Sequence, residues 1–250
     1  MMNIIIPMAG AGSRFSQAGF TLPKPLIEVH GKPMYQWAAN SLPLDQAGKL
    51  VFIIRQDEFT DQLTDDIAYT YAGYDPDIIV IKNLTRGQAE TVFLAANALD
   101  LNTATLIHNA DTAFESMTMP DANSFGGLVT FESAPDDARW SFARVDEVDT
   151  DKVVEVREKQ IISRYASTGT YYFNNTEWML SAIEHQLAEG LTEQGEFYIA
   201  PLYNQAIADG HYIELLHCHN FTGLGTPEEL KAAWHDIPQR LGQQTLPLAI

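Results

Sequence analysis

The strongest constraint on this chain is an abrupt break near its amino terminus. Asn3-Ile4-Ile5-Ile6-Pro7-Met8 is apolar and β-branched, and it runs directly into Ala9-Gly10-Ala11-Gly12-Ser13-Arg14-Phe15. Such a run reads as a strand buried on both faces, as in the middle of a parallel sheet. Glycines after it let the backbone approach a ligand and adopt positive φ, and successive free N–H groups then face an anion. Arg14, and Lys24 within the rigid Pro23-Lys24-Pro25, add the side-chain charge that the loop lacks. The expectation is a cradle for the phosphates of a nucleoside triphosphate; an ordinary strand-to-helix turn is the alternative. The loop lacks the Lys-Ser/Thr ending of a P-loop. Gly10 and Gly12 have no third glycine to complete G-x-G-x-x-G, so a dinucleotide fold is poorly supported.

A strand of this kind needs parallel neighbours, and the next hundred residues supply them. Leu50 to Arg55, Ile78 to Ile81 and Thr105 to His108 are apolar runs, while Pro33 to Leu42 and Gln88 to Leu99 have helical spacing. Strand and helix in alternation predict a parallel sheet with covering helices, which binds ligands at the carboxyl ends of its strands. The glycine loop, the Arg86-Gly87 turn and Asn109-Ala110-Asp111 all follow strands directly. Beyond them, strands are expected at Gly127 to Glu132, Phe142 to Asp146, Val153 to Arg157 and Thr170 to Phe173. Helices are expected at Trp178 to Ala188, Ile199 to Ala208 and from Thr226-Pro227 to about Leu241, followed by a Gln-rich tail. With no repeat and no low-complexity linker, one domain over 1–250 is expected, with 1–115 binding nucleotide and 116–250 binding the acceptor.

Composition narrows the partners. The 250 residues carry a formal net charge of −18, which argues against nucleic acid and anionic membranes as partners. A nucleotide site in such a chain needs local cations and a metal ion. Cys218 is the single cysteine, so no intrachain disulfide exists, and it is expected to be a buried spectator. Met2 to Met8 lacks a basic leader and suits a strand better than a signal peptide, and no stretch approaches the roughly 20 apolar residues of a membrane span. A cytoplasmic location is the default expectation. Histidines 108, 217 and 219 are expected in the core or in turns rather than on a metal, and no Ser-His-Asp triad or Cys nucleophile is apparent.

Asp111 places a carboxylate at a strand end, the hard oxygen that magnesium prefers; a turn-capping Asp is the alternative. Lys159 closes a strand as Val156-Arg157-Glu158-Lys159 and suits a phosphate dianion, or is a solvated strand end.

Gly10-Ala11-Gly12-Ser13-Arg14-Phe15, Pro23-Lys24-Pro25-Leu26 and Gly31-Lys32-Pro33-Met34 together resemble the amino-terminal signature of the sugar-phosphate nucleotidyltransferases. The closest flavour is the short bacterial branch of capsule and surface-polysaccharide biosynthesis. The resemblance implies a Rossmann-like, three-layer α/β/α (GT-A-like) fold with a mostly parallel central mixed sheet. It also implies Mg2+ as cofactor and transfer of a nucleotidyl group from an NTP to a phosphorylated acceptor, foremost a sugar 1-phosphate, with release of pyrophosphate for surface glycan precursors. A phosphorylated polyol, amino alcohol or amino acid as acceptor for cytidylylation, or a nucleotide-sugar glycosyltransferase, are the alternatives; a non-catalytic nucleotide sensor is a further one. A homo-oligomer is compatible with all.

By the same resemblance, Arg14, Lys24 and Asp111 are catalytic and Asp111 holds the metal. Met8, Ala9, Gly10, Gly12, Ser13, Arg14, Arg86, Gly87 and Glu90 hold the nucleotide, with Gly87 against the base. Asn109, Glu158, Lys159, Gly169 and Glu196 hold the acceptor, with Gly169 making space for it. One departure stands out: the family's second metal-binding Asp, two residues before Gly-Thr-Pro, is Gly223 here.

Overall fold

The first strand, β1 (Met2–Met8), lies between two parallel neighbours, and this explains its uninterrupted apolar run. Ile4, Ile5 and Ile6 are fully buried, and each contributes about 1.5–3 kcal/mol by leaving water. Alternate residues serve opposite faces: Ile5 joins one core cluster, while Ile4, Ile6 and Met8 join another. This computed structural model describes residues 1–241, with side chains to 237; the Gln-rich tail lies outside the described residues.

The other strands of the main sheet are β2 (Ala47–Arg55), β3 (Asp77–Ile81), β4 (Ala104–His108), β5 (Gly126–Glu132), β6 (Ser141–Val145), β7 (Val153–Glu158), β8 (Tyr165–Phe173) and β9 (Ile213–His219). Their order is β3-β2-β1-β4-β8-β5-β9, with Ser116–Met117 beyond β9 and the pair β6–β7 attached to β8. The β3-β2-β1-β4 block is parallel, β8 is antiparallel to β4 and β5, and β5 and β9 are again parallel. This is the expected α/β architecture with a large, mostly parallel mixed sheet.

The helices are α1 (Ser13–Gln17), α2 (Met34–Ala39), α3 (Thr60–Thr70), α4 (Gln88–Phe93), α5 (Thr176–Glu189), α6 (Leu202–Ala208) and α7 (Pro227–Leu241). One face of the sheet packs against α4, α5 and α6, the other against α2 and α3. A third cluster joins Phe15, Met34, Leu224, Leu230 and Trp234, so α7 closes against the amino-terminal loops. Two helices differ from expectation. The segment expected as one helix to Leu99 stops at Phe93 and ends in a short 3-10 turn at Ala96–Ala98. The polar helix α3 has only Leu63 and Ile67 as buried residues, too few to mark it in the sequence.

A register shift between Ser167 and Thr170 divides β8 into two halves. The first half pairs with β6 and the second with β4. Such bulges re-aim a strand beside functional sites. Here the bulge brings Gly169 against Asn109, whose N–H donates to the Gly169 carbonyl at 3.0 Å.

Candidate active site

At the carboxyl end of β1 the chain turns through Gly10, which has open space where a Cβ would stand. Gly12 caps α1 at φ +62°, and a Cβ there would meet Lys24 Cβ at 3.3 Å. The loop is therefore pressed against Pro23-Lys24-Pro25, itself held by the Leu26 N–H on the Pro23 carbonyl at 2.9 Å. Lys24 pairs with Asp111, and its ammonium lies 5.6 Å from the Phe15 ring centre. Asp111 is fixed from behind, because the Leu224 N–H donates to its carbonyl at 2.8 Å. Burial pushes the Asp111 carboxyl up, but Lys24 beside it more than offsets this and holds it below the usual range.

Two adjoining cavities meet along Gln88, Asn109, Asp111 and Glu196. The larger, about 600 Å³, is lined by Met8, Ala9, Gly10, Gly12, Lys24, Arg86 and Gly87. The smaller, about 250 Å³, is lined by Arg14, Glu158, Lys159 and Gly169. The expected nucleotide and acceptor residues thus fall largely on separate sides of one seam. Arg14 is the exception: it faces the smaller cavity, not the one that Lys24 faces. Ser13 and Glu90 line neither.

Two glycines have duties beyond those expected. A Cβ on Gly87 would stand 2.5 Å from the Phe197 nitrogen, so this glycine exists for the strand-like contact in which the Phe197 N–H donates to the Arg86 carbonyl. A Cβ on Gly169 would stand 2.6 Å from Asn109 Cγ, so Asn109 packs into the space at its Cα, while Gly169 still lines the smaller cavity. Asn109 is oriented further by Gln88, whose Nε2 donates to its Oδ1 at 2.6 Å. Glu90 spends its carboxylate on Arg86, whose Nη2 is 2.7 Å away, and the guanidinium also lies over the Phe197 ring.

Several residues of the smaller cavity were not signalled by the sequence. Arg139 and Trp140 come from the β5–β6 connection, Tyr198 from the segment before α6, and Glu229 from the first turn of α7. Arg139 bonds Asp137 and, at 2.8 Å, Glu229. The polar-aromatic Asp136-Asp137-Ala138-Arg139-Trp140 loop was the one available hint, since loops carry function. Glu158 is buried and accepts the Ser141 hydroxyl; burial raises its carboxyl above the usual range. Lys159 adopts φ +52°, rare for a side chain with a Cβ, and its N–H donates to the Trp140 carbonyl at 2.9 Å.

The donor set suits a hard divalent cation. Gly223, where the resemblance leads one to expect an Asp, pairs with Thr112, and a Cβ on it would meet the Glu229 carboxyl at 3.0 Å. A Cβ on Gly225 would stand 3.3 Å from Asp111 Oδ2 and 3.0 Å from Glu229 Oε2. The bare glycine thus lets two carboxylates, the ligands that magnesium takes alongside phosphate oxygens, approach one stretch of backbone, where Lys24 pairs with Asp111 and the Gly225 N–H with Glu229. Among the described residues no group of three His, Cys, Asp or Glu side chains is placed to hold a metal.

A nucleotide-sized cavity and a smaller one lined by both cations and carboxylates, joined at a Lys–Asp pair on the carboxyl ends of a parallel sheet, define an α/β nucleotide-binding enzyme site. The chain belongs to the nucleotidyl transferase family, which matches residues 3–239. The nucleoside-diphosphate-sugar pyrophosphorylase from Vibrio cholerae RC9 is 35% identical, with a TM-score of 0.81 over 92% of this chain and 98% of that one. The 2-aminoethylphosphonate cytidylyltransferase of Lancefieldella rimae is 27% identical over 179 residues, which are 69% of this chain and 67% of that protein. The inositol-1-phosphate CTP transferase from T. maritima shares the fold at a TM-score of 0.75 and 16% identity, over 99% of this chain and 98% of that one. The protein is therefore a nucleotidyltransferase acting on phosphorylated substrates. Among the described residues, no helix is long and apolar enough to cross a membrane.

Proposed function

We propose that this enzyme joins the α-phosphate of an NTP to a phosphorus-bound oxygen of a small acceptor, releasing pyrophosphate. The observation that carries the reading is the Lys24–Asp111 pair, placed where the two cavities meet. The triphosphate lies along the Gly10–Gly12 loop in the larger cavity, and the acceptor phosphate lies between Arg14 and Lys159 in the smaller. An acceptor oxygen attacks the α-phosphorus in line and the bond to the β-phosphate oxygen breaks. Lys24 neutralises charge on the departing pyrophosphate. Positioning and charge neutralisation are what such a reaction asks of a protein. Asp111 and Glu229 would hold Mg2+, which when bound neutralises phosphate charge and raises the electrophilicity of the α-phosphorus. Residues 1–115 serve as the nucleotide half and the remainder as the acceptor half of one domain.

The favoured acceptor is a sugar 1-phosphate, in keeping with the relative from Vibrio cholerae. An aminoalkyl phosphate or phosphonate is the second reading. It is favoured by the buried Glu158 carboxylate, with Glu193 and Glu196 near it, and by the relative from Lancefieldella rimae. A pyrophosphate-release screen of the common NTPs against glucose 1-phosphate, myo-inositol 1-phosphate and 2-aminoethylphosphonate tests both. Release that depends on one acceptor supports the reading and names the acceptor. Nucleoside diphosphate released from a nucleotide sugar would replace it with glycosyl transfer.

A further inference from the structure

Lys159 is expected to meet the acceptor phosphate, yet a lysine on a four-carbon stem gives up rotamer entropy when it is held still. The structure already holds it. Its Nζ donates to the Tyr198 hydroxyl at 2.6 Å and lies 5.0 Å from the centre of that ring. The Glu196 carboxylate lies near the same phenol.

Both members of the Lys159–Tyr198 pair are anchored. Lys159 is aimed by its positive φ and by its N–H on the Trp140 carbonyl. The Tyr198 carbonyl accepts Nε2 of the buried Gln186 at 3.1 Å. The adjacent Phe197 bonds the Arg86 carbonyl through its N–H and accepts the Ala89 N–H, at 3.0 and 2.9 Å. The Tyr198 strap is thus tied to the turn that lines the nucleotide-side cavity.

We propose that Tyr198 is a positioning residue. It holds the Lys159 ammonium, through its hydroxyl, where a phosphorus oxyanion enters the smaller cavity. The inference rests on the reading that this cavity takes the acceptor. A group preplaced in this way lowers the ordering cost at binding. The phenol also stays protonated at working pH, because burial, with Glu196 beside it, pushes it above the usual range.

The test is a double-mutant cycle with Tyr198→Phe and Lys159→Met, read by 31P NMR titration of the folded protein with inorganic phosphate. Tyr198→Phe keeps the ring and removes only the hydroxyl. It is expected to weaken phosphate about tenfold when Lys159 is present and to change nothing in the Lys159→Met background. In any turnover assay, the same variant is expected to raise KM for the acceptor and leave KM for the NTP unchanged. Phosphate binding that is unaltered by Tyr198→Phe, weakened equally in both backgrounds, or absent from the wild-type protein would overturn the proposal. Coupling to phosphate in an enzyme that releases no pyrophosphate with any NTP would support this inference and count against the proposed reaction instead.

Discussion

The Lys24 ammonium closes on the Asp111 carboxylate across the seam between the two cavities, at side-chain exposures of 22% and 30%. Each group answers the other's charge until substrates arrive. In the proposed reaction a triphosphate would draw Lys24 towards its oxygens and leave Asp111 open to a hard cation. Lys24→Met is therefore expected to lower pyrophosphate release on the order of a hundredfold, the scale of losing one transition-state charge contact. Circular dichroism should be unchanged, because the pair sits at a cavity wall and not in the core. Turnover equal to wild type would remove Lys24 from the mechanism.

Gly225 lies against both the Asp111 and Glu229 carboxylates, and its N–H donates to Glu229 Oε2 at 2.8 Å. Gly225→Ala places a methyl group there. The expected result is a roughly tenfold higher Mg2+ concentration for half-maximal activity, the lower end of what disturbing a metal's surroundings costs. Titrating Mg2+ at saturating substrates measures this. Glu229→Gln is expected to act in the same direction, since it weakens both the carboxylate and the Arg139 pair.

Gly87 and Gly10 make a matched comparison. A Cβ on Gly87 would run into the Phe197 backbone, and its φ of +150° disfavours any side chain. Gly87→Ala is expected to cost about 3 kcal/mol or more, combining overpacking with backbone strain. Gly10→Ala meets nothing within 4 Å and should leave stability within about 0.5 kcal/mol of wild type. Denaturant midpoints at a common m-value decide between them.

His108 supplies a pH dependence of stability. It is fully buried, and burial brings its imidazole down to about 4. Nε2 lies 2.9 Å from the Thr112 carbonyl, which can only accept, so the ring is neutral with its proton there and Nδ1 accepts the Thr170 hydroxyl at 2.7 Å. A depressed pKa means that the unfolded chain takes up the proton first. The stabilisation is thus complete above about 6.5 and is lost as pH falls towards 4, by about 3 kcal/mol in all. The stability gap between wild type and His108→Gln should shrink by that amount between pH 7.5 and pH 4. A gap that stays constant with pH would contradict the assignment.

What the sequence disclosed follows from the range of the interactions involved. The β1 run, the glycine loop and Asp111 could be read because strand periodicity and turn chemistry act over a few residues. The start of α5 was available too: Asn175 caps it, its side chain accepting the Trp178 N–H at 2.8 Å, although the expected start was Trp178. Tyr198, Arg139 and Glu229 could not be read, because they join the site through partners 39 to 90 residues away. Gly87 and Gly169 line the cavities expected of them, but their protein neighbours were not legible. The need for a bare Cα is local, but whether it admits a ligand, the Phe197 backbone or the Asn109 side chain is decided by tertiary packing.

The central claim is that the α-phosphate of an NTP is transferred while the β- and γ-phosphates leave together. Incubating the enzyme, Mg2+ and each acceptor of the screen with α-32P-labelled and, separately, γ-32P-labelled NTP tests it directly. The account predicts α-label in a new acceptor conjugate and γ-label in pyrophosphate, both slowed on the order of a hundredfold by Lys24→Met. Label left in intact NTP with every acceptor, or γ-label recovered as inorganic phosphate or on the acceptor, would contradict it.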